Sequence, residues 1–126
     1  MPLKALVAET DEPTGQRLKQ LLETMGFGVE LAPSGRDLLD RAAAAKPDLI
    51  VVDLYLPDLL GTIVCHEIRG NHGRSIPIII SSFKTFPLEA EIVSAAGADA
   101  LLRKPLQADQ VRETVGRLVE TTGGRP

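Results

Sequence analysis

Residues 48–61 read DLIVVDLYLPDLLG, and the first six of them decide the fold. Leu49, Ile50, Val51 and Val52 are consecutive apolar residues, three of them β-branched, set between Asp48 and Asp53. Branching at Cβ suits the pleated backbone. A continuous apolar run, in place of an alternating one, marks a strand covered on both faces, as in parallel sheets. Asp53 therefore stands at the carboxyl end of a buried strand.

Working outward, Ile76 to Ser82 (IPIIISS) is a second such strand, and Lys4 to Glu9 (KALVAE) is a short buried strand ending in acid. Gly28 to Leu31 and Ala98 to Arg103 complete a set of five. Helical segments alternate with them. Pro13 opens the first, because proline lacks an N–H that the first turn leaves unpaired anyway. Leu18, Leu21, Leu22 and Met25 form its apolar face, and Gly26 stops it. Ser34 caps the second, with Leu38, Leu39, Ala42 and Ala43 facing the core, and Pro47 ends it. The third helix is expected over Thr62 to Arg69 and the fourth over Pro87 to Ala96. The last carries Val111, Val115, Leu118 and Val119. This alternation predicts an α/β fold: a mostly parallel five-stranded sheet with helices on both faces and right-handed crossovers. The domain is placed at residues 1–121, with 122–126 as a tail or the start of a linker.

The 126 residues suffice for one core, with 44% hydrophobic and 25% charged residues. A net charge of −3 argues against nucleic acid or an anionic membrane as the partner of this domain. The single cysteine, Cys65, excludes an intrachain disulfide. The first residues are too short an apolar run for a signal peptide, and no stretch approaches the roughly 20 apolar residues that span a bilayer. A cytoplasmic protein is expected.

Ligands of open α/β sheets bind beyond the carboxyl ends of the strands, where strand order reverses. The residues there are Glu9 and Thr10, Asp53, Ser82 and Lys104. A carboxylate can be the nucleophile of phosphoryl transfer, while lysine and serine bind phosphoryl oxygens and a metal neutralises their charge.

At this point the sequence resembles the receiver domains of bacterial two-component response regulators, over essentially the whole chain. The block DLIVVDLYLPDLLG is similar to the family's phosphoacceptor segment, with Asp53 as acceptor and Pro57 and Gly61 in their usual places. Ser82 falls at the family's Ser/Thr position, and Lys104-Pro105 at its Lys-Pro pair, whose peptide bond is typically cis. The resemblance implies a flavodoxin-like, doubly wound sheet of order 2-1-3-4-5 with five helices, like that of the chemotaxis receivers. It also implies Mg²⁺ held by Glu9, Asp53 and the Tyr55 backbone carbonyl, and a sensor histidine kinase or phosphotransfer protein as donor. An effector would read the region 87–120, and the resemblance leaves room for a homodimer.

Three positions depart from the pattern. Where the family has a second acid, this chain has Thr10; a loop bulged by one residue would bring in Asp11 instead. Tyr55 contributes only its carbonyl, which needs no particular side chain. Phe83 follows Ser82 where small residues are common, and its ring can cover the pocket. Leu101 stands where many receivers carry an aromatic that rotates on activation, and reads here as core.

Two functions remain in play: a phosphorylation-controlled switch, and a degenerate receiver that binds partners without phosphorylation. A small-molecule enzyme is disfavoured, since ETDEPTG after the first strand lacks G-x-G-x-x-G and residue 55 breaks the D-x-D of Asp-dependent phosphatases. Cys65 and His66 are adjacent and diverge from a helix, which argues against zinc. His72 reads as a loop residue.

Overall fold

The computed structural model describes residues 3–83 and 88–121, the last two of these as backbone only. Five strands and five helices alternate: β1 (Leu3–Ala8), α1 (Glu12–Thr24), β2 (Phe27–Ala32), α2 (Gly35–Ala44), β3 (Leu49–Asp53), α3 (Gly61–His72), β4 (Ile78–Ser82), α4 (Glu89–Ala95), β5 (Ala100–Arg103) and α5 (Ala108–Thr121). The sheet is parallel throughout, in the order β2-β1-β3-β4-β5. The order reverses between β1 and β3, so a crevice opens at the ends of those two strands.

Strand alternation divides the core. Ala5, Val7, Leu49, Val51, Ile79 and Leu102 face Leu18 and Leu22 of α1 and Val111, Val115 and Leu118 of α5. Leu6, Ala8, Ile50, Val52, Ile78 and Ile80 face Leu38, Ala42, Val64, Cys65, Ile68 and Val93 of α2, α3 and α4. Both faces of β3 are buried, as its composition requires.

Element boundaries differ from expectation where side chains take over backbone bonding. β5 begins at Ala100 and not Ala98, because Gly97 turns at φ 103° and Asp99 caps the approach, accepting from Ile78 N–H at 2.8 Å. Arg69 fastens this turn, donating to the carbonyls of Gly97 (2.8 Å) and Ile76 (2.6 Å) and pairing with Asp99 at 2.9 Å. The third helix continues past Arg69, so His72 is its last residue and not a loop residue. Ala43 is exposed, because the buried stripe of α2 runs through Leu38 and Ala42, with Leu39 partly buried beside it. Leu101 is partly buried against the α2–α3–α4 core. The expected helix start at Pro87 and the tail at 122–126 lie outside the described residues.

Candidate functional site at the switch point

Period-two alternation puts Glu9, Asp53, Ser81 and Lys104 on the α1/α5 side of the sheet, in step with Val7, Val51, Ile79 and Leu102. They meet at the carboxyl edge. The Lys104 ammonium lies 2.5 Å from Glu9 Oε2 and 3.1 Å from Asp53 Oδ2. The Ser81 hydroxyl donates to Glu9 Oε1 at 3.1 Å. Main-chain groups complete the shell: Thr10 N–H donates to Asp53 Oδ2 at 3.2 Å and Tyr55 N–H to Asp53 Oδ1 at 3.1 Å. The side chain of Lys104 is 2% exposed, so this is an ammonium desolvated between two carboxylates and not a solvated surface lysine. The peptide bond after it, to Pro105, is cis.

The loop after β3 is held close by two devices. Gly61 N–H donates to the Leu54 carbonyl at 2.7 Å, and a Cβ at Gly61 would fall 2.5 Å from the Asp53 carbonyl oxygen, so only glycine fits. Asp58 accepts from the N–H groups of Gly35 and Arg36, each at 2.9 Å, and so ties the loop to the start of α2. These backbone bonds hold the Asp58 carboxyl below the usual range.

The two acids of the pocket are driven apart. Burial is the main cause that raises Glu9, aided by its bond to Asp53, and it reaches about 6. Burial also acts to raise Asp53, but the bonds from Glu9 and Tyr55 N–H and the charge of Lys104 outweigh it, and Asp53 titrates below its ordinary value. Of the two, Asp53 is the more readily ionised carboxylate. Above it opens a cleft of about 340 Å³ lined by Thr10, Asp11, Asp53, Tyr55, Phe83 and Lys104. The Phe83 ring lies over the Lys104 ammonium, 4.7 Å from ring centroid to nitrogen, and forms part of the cleft wall.

Ser82 departs from expectation. As the next residue along β4 it faces the other side of the sheet, and its hydroxyl donates to Glu89 Oε2 of α4 at 2.9 Å. The hydroxyl directed into the pocket is that of Ser81, whose register partner in β3 is Asp53 itself. Strand parity could not have selected it, because parity carries from strand to strand only through their register.

The donor set for a divalent cation is incomplete. Glu9 and Asp53 supply two carboxylates, both already paired with Lys104. The Tyr55 carbonyl accepts from the Thr10 hydroxyl at 2.7 Å. Asp11 does not fill the gap: it is the N-cap of α1, and its Oδ2 accepts from Thr14 N–H at 3.1 Å and from the Thr14 hydroxyl. That bonding holds its carboxyl below the usual range. No group of three His, Cys, Asp or Glu side chains suited to a metal occurs among the described residues. Mg²⁺ is commonly held by one or two carboxylates with carbonyls and waters, so two acids shared with Lys104 and a carbonyl shared with Thr10 fit a weakly held ion better than a tightly held one. Cys65 is buried, with its thiol pushed up to about 11 by desolvation, while His66 is exposed, so the pair does not converge on a ligand.

A parallel α/β sheet with an ionised aspartate, a buried lysine and a hydroxyl at its switch point defines a class of signalling domain. Residues 5–116 match the response regulator receiver domain family, and the chain belongs to it. It is 33% identical to response regulator MprA of Mycolicibacterium vanbaalenii over 97% of this chain and 52% of that protein. It thus spans about half the length of the curated relatives it matches. Among solved structures, the receiver domain of Francisella response regulator 1452 superposes with a TM-score of 0.87 at 28% identity, covering 95% of this chain and 98% of the other. Chemotaxis response regulator CheY4 of Vibrio cholerae gives 0.85 at 26% identity, over 94% and 99% of the two chains. The protein is a receiver domain of the two-component type. None of the helices among the described residues is long and apolar enough to cross a membrane.

Proposed function

We propose that Asp53 accepts a phosphoryl group from the phosphohistidine of a sensor kinase or phosphotransfer protein. An Asp53 carboxylate oxygen attacks phosphorus, the P–N bond breaks, and the departing imidazole keeps the bonding pair and takes up a proton. The observation that supports this most is the ionised Asp53 carboxylate held 3.1 Å from a buried ammonium at the switch point. Lys104 can transfer its bonds to the phosphoryl oxygens as charge develops on them, and the Ser81 hydroxyl lies beside it. The added charge of about −2 then biases the surface that an effector reads. We place that surface in the region 87–120, where Leu88 and Ile92 of the fourth-helix segment are exposed apolar residues. We assign the domain to residues 1–121 and the protein to the cytoplasm.

Treatment with acetyl phosphate, followed by intact mass, tests the reading. One adduct is expected in the parent and none in Asp53→Asn; an adduct that survives the substitution refutes the assignment. The Thr10–Tyr55 carbonyl bond favours a second reading, a receiver that binds its partner without phosphorylation. A parent that gives no adduct, with or without Mg²⁺, yet still binds its partner would establish it.

A further inference from the structure

The loop between β3 and α3 carries two main-chain groups of the pocket. Tyr55 N–H donates to Asp53 Oδ1 at 3.1 Å, and the Tyr55 carbonyl accepts from the Thr10 hydroxyl at 2.7 Å. Main-chain bonds hold the ends of the loop. Leu54 N–H donates to the Ser81 carbonyl at 2.8 Å, Gly61 N–H donates to the Leu54 carbonyl at 2.7 Å, and Tyr55 and Leu60 form an antiparallel bridge. A side chain holds the crown. Asp58 reaches across to α2 and accepts from Gly35 N–H and Arg36 N–H, both at 2.9 Å.

Capping alone does not call for an acid at this position. α2 has its own N-cap, Ser34, whose hydroxyl oxygen accepts from Asp37 N–H at 3.0 Å. Asp58 is exposed, so water can serve the two N–H groups before Asp37 equally well. α3, which follows the loop directly, begins at Leu60 with no side-chain cap. An acid placed to stabilise the nearest helix would cap α3. Asp58 bonds instead to residues 23 and 22 positions away in the chain, and so joins two distant segments. Those segments are also packed to contact. A Cβ at Gly35 would fall 2.9 Å from Val64 Cγ2 and 3.2 Å from both Leu56 Cδ1 and Leu59 Cβ, so glycine permits the approach that the Asp58 bonds require. Two charge-assisted bonds to successive N–H groups fix the carboxylate in orientation as well as in position.

We propose that Asp58 is a positioning residue for phosphoryl transfer: by latching the loop between β3 and α3 to the first turn of α2, it sets where Tyr55 presents its N–H to Asp53. This rests on the reading of Asp53 as phosphoacceptor. Asp58 acts through Tyr55, three residues back along the loop. With the latch closed, the Asp53 carboxylate is held at both oxygens, Oδ1 by Tyr55 N–H and Oδ2 by Lys104 and Thr10 N–H. With the latch open, the crown of the loop swings from α2, the bond to Oδ1 lengthens, and the carboxylate turns out of the line of attack on phosphorus. The rate of transfer depends on that orientation.

The test uses the full chain with Asp58→Ala, Asp58→Asn and Ser34→Ala. Ser34→Ala removes a cap from the same helix and leaves the loop alone, so it reproduces a loss that is only structural. Without phosphodonor, the NMR shift of the Tyr55 amide proton reports its bond to Asp53. It should move upfield in Asp58→Ala, part of the way in Asp58→Asn, which keeps one carbonyl acceptor for the two N–H groups, and not at all in Ser34→Ala. With acetyl phosphate, Asp58→Ala should take up the phosphoryl group roughly tenfold more slowly, as a small misplacement of reacting groups does. Asp58→Asn should recover part of that rate, and Ser34→Ala should match the parent. A parent-like Tyr55 shift and rate in Asp58→Ala overturns the proposal. So does a Ser34→Ala variant as slow as Asp58→Ala, because the effect then belongs to the stability of α2. If thermal denaturation shows that the Ala variant at 58 does not fold, the Asn variant decides on the same two readouts. A parent that takes no phosphoryl group removes the assignment of Asp53, and the Tyr55 amide shift then decides the role of Asp58 alone.

Discussion

Replacing Lys104 by methionine removes the ammonium and keeps most of the packing volume. In the parent this group lies 2.5 Å from Glu9 and 3.1 Å from Asp53, and the side chains of all three are nearly inaccessible to water. Deleting one partner of a buried ion pair typically costs about 3–5 kcal/mol, because a desolvated charge is left without compensation. Here the protein has an escape, since Glu9 already titrates at about 6, raised by burial and by Asp53 and held down by Lys104. Without Lys104 it moves higher still. The sign follows directly. A carboxyl whose folded pKa lies above its unfolded value contributes stability below the unfolded value, near 4.5, and loses it as pH rises through the folded one. In Lys104→Met that loss extends to higher pH, at up to about 1.4 kcal/mol per pH unit for one proton. At pH 5 a protonated Glu9 can donate to the ionised Asp53, so only the lost charge-assisted bonds should register, at about 1–2 kcal/mol. At pH 8 the full cost of about 3–5 kcal/mol should appear. In the parent Asp53 does not blur the window: its pKa is lowered, so its contribution is present above 3.8 and is lost only as pH falls below that; without Lys104 one of the groups that lowers it is gone, which adds to the cost at high pH. Urea unfolding of parent and variant between pH 5 and pH 8, in buffer with chelator, measures the difference. An equal destabilisation at both pH values would refute the coupling of Glu9 to Asp53, and a loss below about 1 kcal/mol at pH 8 would show Lys104 to be solvated.

Two further outcomes follow from the geometry. Thr10→Asp exchanges the donor that bonds the Tyr55 carbonyl for a carboxylate, so the variant should be less stable by about 1 kcal/mol in chelator and should gain more from added Mg²⁺ than the parent does; a melting temperature equally insensitive to Mg²⁺ in both would show that the third ligand position lies elsewhere. Gly61→Ala forces a Cβ against the Asp53 carbonyl oxygen and should cost about 1–3 kcal/mol while slowing phosphorylation; a variant as stable and as fast as the parent would mean that the loop has room to move.

The strands and helices were legible in the sequence because their causes are local. The run from Leu49 to Val52 is the pattern of a strand buried on both faces, as in parallel sheets, and it places Asp53 at the strand's end. Lys104 could be placed beside it because a strand of defined length delivers the residue just past its end to the same edge. Where residues 10 and 11 direct their side chains was not legible. Whether Thr10 or Asp11 reaches the pocket depends on the loop path, and Asp11 is drawn to the unpaired N–H groups at the start of α1, a competing site of short range. The choice between Ser81 and Ser82 also belonged to the tertiary structure. Both are hydroxyls at a strand end, and a shift of one residue reverses which face each serves. Composition and periodicity fixed which residues come to the carboxyl edge of the sheet; register and loop geometry decided which of them face Asp53 and which face α4.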